Sequence, residues 1–200
     1  MRQLTSQTET RLFPELYGFV IADPERLDTF HGGRAQDYDL LELYSATDTG
    51  EAVSSSGVAI PVLGLDPGYY SVTLRDNSAR SQLAGPVLRS SSGWVLQVVS
   101  GIVVVAGIGH LKRWNPDHPN IRRFSVPSGW YSVTISLGAG SQEDDFALEL
   151  ELVPQRSRPR FTADLSGAAA QMQQLPESPS RWIRSYGRWN IFTEQSRPWA

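Results

Sequence analysis

Two stretches of the chain read almost alike: GYYSVT at Gly68–Thr73 and GWYSVT at Gly129–Thr134. In the first copy Tyr70, Val72 and Leu74 alternate with Ser71, Thr73 and Arg75. In the second, Tyr131, Val133, Ile135 and Leu137 alternate with Ser132, Thr134 and Ser136. A period of two puts one set on a core face and the other toward water, which defines a half-buried β-strand. Each copy follows a Pro and a Gly, in Asp66-Pro67-Gly68 and Pro127-Ser128-Gly129, and these supply a turn before the strand. A second correspondence lies upstream. GFVIADPERLDTF (Gly18–Phe30) aligns with GIVVVAGIGHLKRW (Gly101–Trp114) as a Gly, an apolar strand, a polar break, a Leu and an aromatic. Two copies are too few for a solenoid. The predicted fold is therefore mainly β: a sandwich or barrel of two weakly similar halves, about 15–76 and 93–154, related by internal duplication.

Further strands are expected at Tyr38–Tyr44, Gly57–Leu63, Trp94–Val99, Ile102–Ala106, Ile121–Val126 and Phe146–Val153. Pro61 assigns the second of these to an edge or a bulge. Ser100-Gly101 is a two-residue hairpin signal between its neighbours. Ile102–Val105 is wholly β-branched, as in a strand buried on both faces. In Phe146–Val153, Phe146, Leu148, Leu150 and Leu152 are expected inward, with Glu149 and Glu151 outward. The β domain is expected over 1–154. Gln155–Pro159 reads as a linker, followed over 155–200 by a short helix, capped by Ser166 and ended by Pro176, and a tail packing on the β body.

Charge is distributed unevenly. Residues 1–60 carry ten acids and four bases, a net −6, residues 61–154 eight and seven, a net −1, and residues 155–200 three and seven, a net +4. Fields of that kind bias partner choice and encounter rate. The chain has no Cys, so thiolate nucleophiles and Cys-ligated metals are excluded. No run approaches the roughly 18–20 apolar residues of a membrane span, and a cytoplasmic location is expected.

Catalytic patterns are absent from the sequence. His31, His110 and His118 stand at no metal-ligand spacing, and no nucleophile elbow occurs. Ala106–His110 (AGIGH) resembles the start of a dinucleotide loop but lacks its third Gly. The acids of Glu143-Asp144-Asp145 and of the 23–39 loops match no Ca²⁺-loop spacing and read as solvated turns. No catalytic residue, metal or cofactor is predicted. The tail segment Arg181–Phe192 (RWIRSYGRWNIF) interleaves Arg with Trp182, Tyr186 and Trp189, a composition suited to a protein interface and less to nucleic acid.

RRFSVPSGWYSVTISLGAGSQEDDFALELELV (Arg122–Val153) resembles the C-terminal part of competence protein J-type nuclease inhibitors and similar bacterial immunity-like β domains. Both have an apolar strand, a Pro-x-Gly-x-Tyr turn, an alternating strand, a polar loop and a final strand. GIVVVAGIGHL is similar to the strand and loop preceding that motif. The resemblance covers under a third of the chain and carries over no binding residue. It implies a non-enzymatic inhibitor or immunity protein that blocks a toxin or nuclease by protein contact. The acidic front-half residues Asp23, Glu25, Asp28, Asp37 and Asp39 are the candidate contacts for a basic partner, with Trp182, Tyr186 and Trp189 of the tail. The alternative is a small-molecule or carbohydrate-binding sandwich, possibly enzymatic, using Trp94, Trp114 or Trp130 as a stacking platform.

Overall fold

The computed structural model describes residues 6–140 and 144–165. The helix expected from Ser166 and the tail residues Trp182, Tyr186 and Trp189 lie outside the described residues. In chain order the elements are β1 (Gln7–Leu12), β2 (Gly18–Ala22), α1 (Pro24–Phe30), α2 (Leu40–Ala46), α3 (Thr49–Ser55), β3 (Ala59–Leu63), β4 (Tyr70–Asp76), β5 (Arg89–Val98), β6 (Ile102–Gly107), β7 (Arg122–Ser125), β8 (Gly129–Ala139) and β9 (Phe146–Gln155). Strands form a five-stranded sheet in the order β1-β4-β9-β8-β5 and a four-stranded sheet in the order β3-β2-β6-β7. The fold is a mainly-β sandwich, as the alternation predicts.

Both orders read the same from either end. β1 pairs with β4 as β5 pairs with β8, and β2 with β3 as β6 with β7, all antiparallel. β2 and β6 meet at the centre of the smaller sheet. In the larger sheet β9 separates the halves, parallel to β4 and antiparallel to β8. That difference is what an approximate two-fold axis through β9 requires.

The repeated motif has a physical reason. Tyr70 and Tyr131 are buried between the sheets, and each hydroxyl donates to the backbone carbonyl four residues upstream, Asp66 O at 3.0 Å and Pro127 O at 2.6 Å. The ring fills the core while the hydroxyl pins the turn that starts the strand. The other inward positions follow the predicted faces: Val72, Leu74, Val133, Ile135, Leu137, Leu148, Leu150 and Leu152 are all buried. Phe19, Ile21, Ile60, Val62, Val103, Val105 and Phe124 meet them from the smaller sheet. Each such side chain contributes about 1.5–3 kcal/mol by leaving water.

A second core lies on the far face of the smaller sheet. There Val20, Ala22, Ala59, Val104 and Ala106 are covered by Leu27 of α1, Leu40, Leu41 and Tyr44 of α2, and Val53 of α3. This third layer explains why β2 and β6 are apolar on both faces. It also corrects the sequence reading. Tyr38–Tyr44 is not a strand: Tyr44 lies one helical turn after Leu40 and Leu41, and Asp39 caps α2 by accepting from Glu42 N at 2.9 Å. Pro61 does lie on an edge strand, opposite Val20.

Ser100-Gly101 does not close a hairpin, because β5 and β6 belong to different sheets. The N–H groups of Val99 and Ser100 go to Asp23 Oδ2, both at 2.7 Å. Glu149 points outward as expected but is only 3% exposed. Arg75 Nε lies 2.9 Å from its Oε1, and Ser81 Oγ and Gln82 N donate to its Oε2. Nor does the chain beyond β9 stand off as a linker. Arg158 Nη2 donates to Ser55 O, Thr162 N and Ala163 N donate to Gly93 O, and Phe161 packs edge-on against Trp94.

Tyr70→Phe and Tyr131→Phe should each cost about 1 kcal/mol in denaturant melts, the usual net value of one hydrogen bond. Tyr131→Ala should cost roughly 3–5 kcal/mol. Losses well under those values would contradict the pinning role.

Candidate functional site

Two surface features depart from the approximate symmetry. The first is the connection between β2 and β3. Residues 23–51 hold eight acids and two bases, whereas the corresponding connection 108–121 holds two bases and one acid. Glu25, Asp37, Asp39, Glu42 and Asp48 are exposed on the helical layer. Tyr38 lies in the same layer, 36% exposed, with the Arg34 guanidinium 5.8 Å from its ring. Asp28 is half-buried, and its Oδ1 accepts from Ala35 N at 3.1 Å.

Asp23 must be removed from the surface set. It is fully buried, and its carboxylate accepts five hydrogen bonds. Its Oδ1 caps α1 through Glu25 N and Arg26 N, and its Oδ2 takes Val99 N, Ser100 N and Ser100 Oγ. A contact with a partner is closed to it. Glu25, Asp37 and Asp39 remain open to solvent.

The second feature is a cavity of about 260 Å³ where the edge strand β1 of one sheet meets the edge strand β7 of the other. Gln7 joins these edges, donating from Nε2 to Ser125 O and accepting at Oε1 from Ser125 N. Arg11, Phe13, Glu15, Tyr69, His110 and Arg122 stand among its lining groups, over a floor of Leu12 and Phe19. Phe13 and Tyr69 are 51% and 41% exposed and meet edge to face, and the Arg11 guanidinium sits 4.4 Å from the Tyr69 ring.

Of these lining residues the sequence draws attention to His110 alone, and it assigns that residue no role. Their supports were visible but misread. Asp144 and Asp145 are not simply solvated: Asp144 Oδ1 accepts from Arg11 N, and Asp145 Oδ2 accepts from Tyr69 N. The glycines of AGIGH seat the Glu15 side chain in place of a phosphate. A Cβ at Gly107 would lie 2.8 Å from Glu15 Cβ, and one at Gly109 2.5 Å from Glu15 Oε2. The end of β1 and its connection to β2 are strained, with Arg11, Leu16 and Tyr17 at φ of 57°, 53° and 60°. Left-handed backbone at non-glycine residues costs about 1 kcal/mol or more each and collects at functional sites.

The platform reading fails for Trp94 and Trp114, while Trp130 is half-buried. Trp94 and Trp114 are 1% and 3% exposed, and Trp130 packs over Gly57, where a Cβ would lie 2.9 Å from Trp130 Cζ3.

Acid–base chemistry finds little to work with among the described residues. His31 Nε2 lies 2.7 Å from the Tyr44 hydroxyl, which is fully buried and whose pKa burial pushes far above the usual phenol value. His110 Nε2 lies 3.5 Å from Glu15 Oε1, with the His118 ring beside it. No group of three His, Asp or Glu residues suited to a metal occurs among the described residues.

The frame and surfaces define a two-sheet sandwich with an acidic helical layer and one open sheet junction. No protein-family model matches the sequence, and no curated protein matches it. Solved structures similar to the chain include that of ComJ from Bacillus subtilis, described as an inhibitor of the DNA-degrading activity of NucA. It is 12% identical, with a TM-score of 0.45 over 77% of this chain and 98% of that one. Another is described as crocagin biosynthetic gene J, 14% identical, with a TM-score of 0.49 over 76% of this chain and all of that one.

His31 and His110 are held below the ordinary imidazole value, mainly by burial, with Asp28 and Glu15 respectively acting against it. The unfolded chain therefore takes up these protons first. Their contribution to stability is present above the unfolded value of about 6.5 and is lost as pH falls below it toward the folded values. The melting temperature of the His31→Gln/His110→Gln variant should fall less between pH 7.5 and 5.5 than that of the parent. Equal falls would contradict the burial argument.

Proposed function

We propose that this is a non-enzymatic binding protein of the bacterial cytoplasm that blocks a basic toxin or nuclease through its acidic helical layer. The observation that carries the reading is the set of five exposed carboxylates grouped on one inserted layer around the exposed Tyr38. Complementary charge accelerates encounter and rejects wrong partners, and an aromatic among polar groups is a common anchor. The layer is fixed to the sandwich from below by Asp23 and the second core, so it meets a partner preformed and avoids an ordering cost. The family resemblance of Arg122–Val153 implies the same class of function. Duplication of one β unit, followed by growth of the β2–β3 connection, is the history we infer for the acidic layer. Trp182, Tyr186 and Trp189 are proposed as additional anchors in the tail.

The test uses a partner captured on the immobilised full chain, with association followed in real time at several salt concentrations. The association rate of the parent should fall steeply as salt rises. Glu25→Lys, Asp37→Lys and Asp39→Lys together should slow association about tenfold or more at low salt and flatten its salt dependence. Association unchanged by the three reversals would sink the reading.

A further inference from the structure

The approximate symmetry supplies two equivalent junctions between sheet edges, and the chain treats them differently. At one, β5 meets β3, with Gln97 N donating to Gly57 O at 2.8 Å. Trp130, the residue after the motif glycine in the second copy, packs over Gly57 at that junction, where a Cβ would lie 2.9 Å from its Cζ3. At the other, β1 meets β7, and the equivalent residue is Tyr69. Tyr69 leaves the junction open as the cavity of about 260 Å³. The fold is thus able to close this space and, on this side, does not.

The lining decides what would enter. Arg11 and Arg122 contribute two guanidiniums to the lining, and Glu15 contributes a carboxylate from the β1–β2 connection, with His110 Nε2 3.5 Å from its Oε1. Arg122 is partly offset by Glu9, 3.7 Å from its Nε, and its Nη1 donates to Pro119 O. A simple anion would face Glu15, and a simple cation would face the arginines. Only a ligand carrying both charges satisfies both walls. Leu12, Phe13, Phe19 and Tyr69 supply the apolar remainder. The volume lies just under the roughly 300–1,000 Å³ of sites for drug-sized ligands, which suits a molecule of amino-acid size. Arg11, at the irregularity in β1, and Leu16 and Tyr17, in the connection to β2, are left-handed beside this wall.

We propose that the β1–β7 junction is a binding site for a small zwitterion with an apolar or aromatic side chain, of the free amino acid class. Its carboxylate meets Arg11 and Arg122, its ammonium meets Glu15, and its side chain lies against Phe13 and Tyr69. The proposal is independent of the acidic layer, which lies on another face of the smaller sheet.

Calorimetric titration of the full chain with L-phenylalanine tests it. Saturable binding is expected. N-acetyl-L-phenylalanine, which lacks the ammonium, and L-phenylalanine methyl ester, which lacks the carboxylate, should each bind about tenfold or more weakly, as expected on losing a charge-assisted contact. Glu15→Gln should abolish the discrimination against the acetylated compound, and Arg122→Gln that against the ester. The two analogues require no variant, so misfolding of either variant leaves the test standing. Absence of binding by phenylalanine, leucine and tyrosine at millimolar concentration would overturn the proposal. So would binding of the acetylated or the esterified compound as tight as that of L-phenylalanine itself.

Discussion

The carboxylate of Asp23 is the joint on which the three layers depend. It sits at the end of β2, where the chain leaves the smaller sheet for the helices, and beside the turn where the chain crosses from the larger sheet to the smaller one. Five donors converge on its two oxygens. A buried carboxylate is costly without such partners, and backbone N–H groups of a crossover and of a helix start are costly when left unpaired. Each side therefore offsets the other. The acidic segment that begins at Asp23 is anchored at its root by an acid that takes no part in its surface.

From that joint the rest of the architecture follows. β2 and β6 lie in the middle of the smaller sheet with a core on each face, so neither has a polar side. β9 is the axis of the larger sheet and carries the alternation that separates core from cover. The two halves are built alike where they pack and differ where they meet solvent. The crossover of the first half is acidic and helical, and that of the second is short and mildly basic. At one sheet junction Trp130 packs over Gly57, and the other is open beside Tyr69.

Much of this was legible in the sequence. The period-two runs located β4, β8 and β9 with their correct faces, and the β-branched run at Ile102–Val105 announced a strand buried on both sides. The layer of helices was not legible, for a physical reason. α1, α2 and α3 have seven residues each, too few to form alone, and are held by packing more than by propensity. In Leu40-Leu41-x-x-Tyr44 the helical spacing competed with a strand-like composition. The acidic set was read as surface, which holds for Glu25, Asp37 and Asp39. It fails for Asp23, where a cap and a long-range clamp coincide in one side chain. The cavity was invisible because its walls come from β1, the β1–β2 connection, β2, the turn before β4, β6, the β6–β7 connection and β7, which no local pattern links. Its trace was the pair of glycines at Gly107 and Gly109, which make room for Glu15.

Amide hydrogen exchange on the Asp23→Asn variant tests the joint most directly. An amide oxygen still accepts, but the side chain loses its second equivalent acceptor and gains a donor with no site for it. The account predicts that Glu25 and Arg26 at the start of α1 lose protection together with Val99 and Ser100 at the sheet crossing, while the centre of β8 and β9 keeps the protection of the parent. Protection unchanged at both places, or lost at the helix start alone, would contradict a joint that holds the layers together.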